Sequence, residues 1–192
     1  MKNFLLAGVG GQGTVLASRL IAQAAMERGE FARTAETIGM AQRGGCVVSH
    51  VRLGENTFSP LIPRGEADVI LGFEPGEAVR CLSYLRPDGA VVSAVNAVQP
   101  VTATLGAPYG EDEMLVFLSE HVKRRVLVDT GRVTAACGTP KVLNVALLGA
   151  AVKADVLGIS MEEMEHAIRS MVNPKFVELN LKALSLGGKA IL

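Results

Sequence analysis

The hexapeptide Gly8-Val9-Gly10-Gly11-Gln12-Gly13 constrains this chain more than any other segment. It follows a short apolar run, Asn3 to Val9, which reads as a buried strand. It precedes Thr14 to Arg28, where Val15, Leu16, Leu20, Ile21 and Ala24 recur at helical spacing before Gly29 ends the pattern. A G-x-G-x-x-G turn between a strand and a helix commits the chain to a β-α unit, in which the glycines allow positive φ and close backbone approach. The helix start adds about half a positive charge that favours an anion. Two readings of the turn stay open: a tight connection and nothing more, or a phosphate or cofactor cradle made by Gly8, Gly10, Gly11, Gln12 and Gly13. A dinucleotide site also wants an acidic residue about 20 positions on to hold the ribose. Glu36 is the nearest, but glycine-rich sequence follows it and a second β-α unit is missing.

Further short apolar runs alternate with helix-length stretches, the pattern of a parallel sheet flanked by helices. Strands are expected at Phe31 to Glu36, at Cys46 to Leu53 with one wetter face carrying Ser49 and Arg52, at Ala67 to Phe73, at Ala90 to Val95 and at Arg125 to Asp129. Helices are expected from about Pro75 to Leu85 and from Glu111 to Glu120, with Arg86-Pro87-Asp88-Gly89 as a turn and Val101 to Pro108 as a further strand and turn. The last third reads as helical. Lys141 to Val156 is apolar all round and therefore buried, Ser160 with Glu163 forms a capping box, and Asn173-Pro174 opens a helix that Gly187-Gly188 would end. The expectation is a single domain over 1–192, a three-layer Rossmann-like α/β core at 1–135 with a mostly parallel sheet, and a helical extension at 140–192.

Composition narrows the function classes. With 192 residues, 49% hydrophobic and 20% charged, disorder is excluded as the main state. Nineteen basic residues balance nineteen acidic ones, so the long-range field of a nucleic-acid or membrane-surface binder is absent. No run approaches the roughly 20 apolar residues of a membrane span, and the apolar start stops too soon for a signal peptide. Cys46, Cys81 and Cys137 lie far apart, which fits a reduced, cytoplasmic chain. Three scattered cysteines do not supply the four ligands of an iron–sulfur cluster or the usual four Cys/His of structural zinc, so no metal cofactor is expected on this chain.

The second feature is the loop Gly39-Met40-Ala41-Gln42-Arg43-Gly44-Gly45. Arg43 offers a planar fork of donors for carboxylate or phosphate, and its flanking glycines let another backbone or a ligand come close. We read Gln42, Arg43, Gly44 and Gly45 as a site or interface. The histidines carry less. His121 and His166 read as solvated, His50 as a structurally hydrogen-bonded strand residue, Glu74 as a helix cap and Lys123-Arg124-Arg125 as a solvated turn.

Taken together, Gly8 to Gly13, Gln42-Arg43-Gly44-Gly45 and the following Val47-Val48-Ser49-His50-Val51-Arg52 resemble the gamma domain of the 2-oxoacid:ferredoxin oxidoreductases. Gly39-Met40-Ala41-Gln42 and Ser49-His50 resemble most the indolepyruvate branch, and Asp68 to Glu74, Asn144, Gly149, Lys175 and Asn180 fall in the family's order. The resemblance implies a non-cluster subunit that is inactive alone. Its partner would be a large alpha subunit holding thiamine diphosphate and iron–sulfur clusters, which passes electrons to ferredoxin and the acyl group to coenzyme A. It also implies that the glycine turn and the Arg43 loop face that partner or the coenzyme A route. A homodimer is expected when the chain is isolated. The rivals are a free-standing NAD or FAD dehydrogenase using Gly8, Gly10, Gly13 and Glu36, and a scaffold that binds no ligand.

Overall fold

The computed structural model describes residues 1–38, 45–55, 57–98 and 110–192. Among these, one sheet holds β1 (Lys2–Val9), β2 (Ala32–Ile38), β3 (Cys46–Leu53), β4 (Ala67–Gly72), β5 (Leu85–Ala94) and β6 (Arg124–Val128), in the spatial order β2-β3-β1-β4-β5-β6. β1, β4, β5 and β6 run parallel, whereas β3 lies antiparallel between β1 and β2. The helices are α1 (Thr14–Glu27), α2 (Pro75–Arg80), α3 (Glu111–His121), α4 (Thr130–Cys137), α5 (Leu143–Lys153), α6 (Met161–Met171) and α7 (Pro174–Gly188).

The strand period of two explains the layers. On β1, Phe4 and Leu6 enter one core with α1 and α4 to α7, while Leu5 and Ala7 enter a second with Ala78, Cys81, Leu118 and Val122 from the α2 and α3 side. Phe4, Leu5 and Leu6 are wholly buried, each stabilising by about 1.5–3 kcal/mol, which makes the apolar start a central strand. The expected three-layer, mostly parallel α/β fold is the one observed. α5 is apolar all round because it lies beneath α7, with Asn144 to Val152 all buried. At the α5–α7 crossing, a Cβ on Gly149 would run into the carbonyl oxygen of Leu184, and one on Gly187 into that of Ala146. The capping box is formed: Glu163 N–H donates to Ser160 Oγ (3.2 Å) and Ser160 N–H to Glu163 Oε2 (2.6 Å).

Several local expectations need correction. β3 has no wet face: Ser49 is wholly buried and Arg52 nearly so, because the face with Ser49, Val51 and Leu53 packs on the α1 side while the segment 57–62 covers the other, where Arg52 donates to Ser59 O and Leu61 O. β5 begins at Leu85 rather than after the Arg86–Gly89 segment. Ala67 pairs with Leu85 and Val69 with Ala90, so those residues bulge out of a strand already started. The expected helix to Leu85 stops at Arg80 and tightens into a 3-10 turn over Leu82–Tyr84. Arg124 and Arg125 are exposed but belong to β6. Thr130 to Cys137 forms α4, capped by Asp129 and ended by a left-handed Gly138. On α1, Leu16 and Val15 are only half-buried, since Ala17, Leu20, Ile21 and Ala24 take the core face. Gly187 and Gly188 do not end α7 but form its last turn. Val101 to Pro108, and residues 39–44 of the loop, lie outside the described residues.

Candidate functional site

β1 feeds α1 on one face of the sheet and β4 feeds α2 on the other. The carboxyl ends of these neighbouring strands therefore form the switch point where open α/β sheets take ligands. The glycine turn sits there. Gly13 is the left-handed N-cap of α1 (φ 79°), Gly11 has φ 101°, and Gly10 N–H donates 2.8 Å to Gly45 O, so the end of the 39–45 loop is tied to the turn.

Gln12 decides what the turn can hold. Its Oε1 accepts from Val9 N–H at 2.8 Å and its Nε2 donates to Phe73 O at 3.0 Å, so one side chain bridges the ends of β1 and β4. A Cβ on Gly8 would meet Gln12 Oε1 at 2.7 Å and Phe73 Cβ at 2.9 Å. Gly8 is thus a close-packed turn residue held against Gln12 and Phe73. Above Gly11, in contrast, nothing lies within 4 Å of an added Cβ. α1 starts beside that opening without a side-chain cap and without an acidic residue in its first turn. The turn is thus open at its outer edge to an anionic group.

Glu36 is not brought to this place. It lies exposed on β2, opposite Ser49, which in turn faces Leu6. It is level with Leu6 rather than Gly8, and β3 intervenes, putting it two strand spacings, about 10 Å, from β1. A ribose held at the glycine turn would not reach it. Gly8, Gly10, Gly11, Gln12, Gly13 and Gly45 do come together, and Gln42, Arg43 and Gly44 lie outside the described residues.

Side-chain amides that the sequence left unassigned complete this end of the sheet. Asn144 Nδ2 donates to Gly13 O (3.2 Å) and packs where a Gly13 Cβ would stand. Asn96 Oδ1 accepts from Thr130 Oγ1 (3.0 Å) and Gly131 N–H (2.7 Å), joining the end of β5 to α4. Glu74, buried at the end of β4, caps α2 by accepting from Glu77 N–H at 2.8 Å. An Asn or Gln a few residues from a strand–helix junction was the available signal, though its partner lies up to 131 residues away.

His50 is the buried structural residue expected. Ile62 N–H donates to its Nδ1 (3.1 Å) and Tyr84 meets its ring edge-on at 6.0 Å. Burial, helped by the charge of Arg52, lowers its pKa from the usual 6.5. Acidification below about 6.5 therefore protonates the unfolded chain first, so stability falls as pH drops through that region. It levels off once the folded imidazole is protonated too. Thermal melts from pH 7.5 to 5 should show this slope, at most about 1.4 kcal/mol per pH unit, and His50→Gln should flatten it. His166 is exposed and pairs with Glu27 (2.7 Å), and exposed His121 stacks on Phe117.

Cys46 opens β3, Cys81 follows α2 and Cys137 ends α4; burial pushes the Cys81 thiol up to about 11. Among the described residues no group of three or more His, Cys, Asp and Glu is placed to hold a metal ion, and no helix is long and apolar enough to cross a membrane.

Fold and site define an open α/β domain whose switch point is bridged by its own glutamine. Comparison with known proteins gives the family: the sequence model for pyruvate ferredoxin/flavodoxin oxidoreductase matches residues 3–190, and the chain belongs to that family. It is 37% identical over 191 residues to the indolepyruvate oxidoreductase subunit IorB of Thermococcus kodakarensis, covering 98% of this chain and 95% of that one. The Archaeoglobus fulgidus subunit of the same name is 40% identical over 187 residues, covering 96% and 92%. Among solved structures, the keto/oxoacid ferredoxin oxidoreductase gamma subunit of Geobacter sulfurreducens superposes with a TM-score of 0.72 at 23% identity, over 99% and 98% of the two chains. The 2-oxoglutarate:ferredoxin oxidoreductase of Magnetococcus marinus, solved with 2-oxoglutarate, coenzyme A and succinyl-CoA bound, gives 0.74 at 17% identity. It covers 98% of this chain but 30% of that one. These two likenesses support the fold.

Proposed function

We propose that this chain is the small, non-cluster subunit of a thiamine-dependent 2-oxoacid:ferredoxin oxidoreductase in the cytoplasm. The complex would convert indolepyruvate and related aryl pyruvates, coenzyme A and oxidised ferredoxin to aryl-acetyl-CoA, carbon dioxide and reduced ferredoxin. The near full-length match to indolepyruvate oxidoreductase subunits carries this reading. Thiamine diphosphate and the iron–sulfur clusters belong to a large alpha subunit. Coenzyme A supplies the thiol that accepts the acyl group. This chain contributes no catalytic side chain of its own; it holds an anionic group by position. The open edge at Gly11, the uncapped start of α1 and the Arg43 guanidinium would meet a phosphate of coenzyme A or a carboxylate of the partner, while Gln12 and Asn144 keep the turn in shape.

The placement of Glu36, two strands from β1, argues against the free-standing dehydrogenase. Co-purification tests the proposal: the chain should assemble with a thiamine- and cluster-bearing protein and be inactive without it. Tight NAD or FAD binding by the chain alone, or dehydrogenase turnover with no partner, would overturn it. In the assembled enzyme, Arg43→Ala should raise the KM for coenzyme A or weaken assembly, by about tenfold for a lost charge-assisted pair. An unchanged rate and an unchanged coenzyme A dependence would remove the loop from the site.

A further inference from the structure

A second cavity opens on the α1, α5 and α7 side, with a volume of about 570 Å³. That is within the range of small-molecule sites, roughly 300–1,000 Å³. Its apolar wall comes from Leu16 of α1, Val142, and Val172, Phe176 and Leu179 around α7. This pocket gives a use to side chains the core does not absorb: Leu16 is half-buried, although the helical pattern would bury it, and Phe176 is about half exposed.

The charge on the pocket has one sign. Lys141 lines it, and Lys175 Nζ lies 4.8 Å over the ring of the lining residue Phe176. Among the described residues neither ammonium has an ion-pair partner, and no acidic side chain lines the cavity. Leu16 and Phe176 each stand in the first turn of a helix, α1 and α7, and neither turn carries an acidic residue. An apolar chamber with an uncompensated positive mouth matches a small molecule with a flat apolar body and one negative charge.

We propose that this pocket binds an aromatic monocarboxylate, with the ring against Leu16, Val142, Leu179 and Phe176 and the carboxylate at Lys141. The site is separate from the glycine turn. The proposal rests on the cavity itself rather than on membership of any complex, so it stands or falls independently of the function proposed above.

The chain contains no tryptophan, so a fluorescent aryl acid can be followed without background. The probes are 1-naphthaleneacetate and its neutral amide, titrated against the full chain by fluorescence anisotropy. The acid should bind saturably and about two- to fivefold more tightly than the amide, the contribution of a partly solvated ion pair. Lys141→Gln, a surface change that leaves the core intact, should abolish that preference while leaving the amide's affinity unchanged. Leu179→Phe, which narrows the chamber without adding a tryptophan, should weaken both ligands by more than tenfold. Equal affinity for acid and amide, no saturable binding, or a preference that survives Lys141→Gln would overturn the proposal. The Lys141 arm gives a result even if the Leu179 variant fails to fold.

Discussion

Gly149→Ala should destabilise the chain by at least about 3 kcal/mol, enough to lower Tm by roughly 6–12 °C in a protein of this size or to leave it insoluble. The added methyl would occupy the position of the Leu184 carbonyl on α7, and a backbone atom has no rotamer to escape into. Gly187→Ala should do the same from the other helix, against the Ala146 carbonyl. The intrinsic gain of alanine over glycine in a helix, about 1 kcal/mol, is too small to offset separating two helices over their whole contact. Gly188→Ala is the control. Its Cβ meets nothing closer than the Lys153 Cβ at 3.2 Å and the Gly149 carbonyl oxygen at 3.4 Å, so a shift of a few tenths of an ångström admits it and its melting temperature should fall far less than that of the other two. Thermal denaturation of the three variants side by side checks the ordering. Equal effects at 149 and 188 would show that the helices cross elsewhere.

Gln12 should show the next largest effect. Gln12→Ala strips a partner from Val9 N–H and from Phe73 O at the junction of β1 and β4, and each orphaned group costs about 1–3 kcal/mol. Gln12→Glu separates the two bonds. One carboxylate oxygen still accepts from Val9 N–H, but the other faces the Phe73 carbonyl, so the protonated acid is favoured in the folded state and its pKa is raised there. The deficit is therefore full above that raised value and shrinks as pH falls toward the ordinary glutamate range, where a protonated carboxyl donates to Phe73 O. Melts at pH 7.5 and 5 should show Gln12→Glu recovering relative to Gln12→Ala. If the two variants track each other at both pH values, the bridge does not hold these strands together.

The same residues show how far the sequence could be read. The glycine turn, β1, β4, the Ser160 capping box and the buried α5 are set by neighbours in sequence, and each was legible there. The insertion of β3 between β1 and β2 was not, because strand order is fixed by contacts between residues far apart in sequence, from Val9 with Cys46 to Lys2 with Leu53. That one long-range fact carried Glu36 away from the turn and made Ser49 and Arg52 interior. Gly187 was read as a stop because terminating a helix and admitting a neighbour place the same residue at a helix end. Only the crossing with α5 distinguishes them. Gln12 was recognised as part of the motif, but that it bridges β1 and β4 depends on Phe73, 61 residues on.

The two edges of the sheet are treated differently. At β6 the last residues fold back: Ile191 bridges Val128, and Asp129 and Leu192 exchange backbone bonds with Ala190 and Leu127. β2, at the opposite edge, is bonded among the described residues to β3 alone, and its residues 33, 34, 36 and 37 are exposed. Among the described residues the sheet therefore has a direction of growth: a strand from another chain can be added beside β2, but not beside β6 without first dislodging residues 190–192.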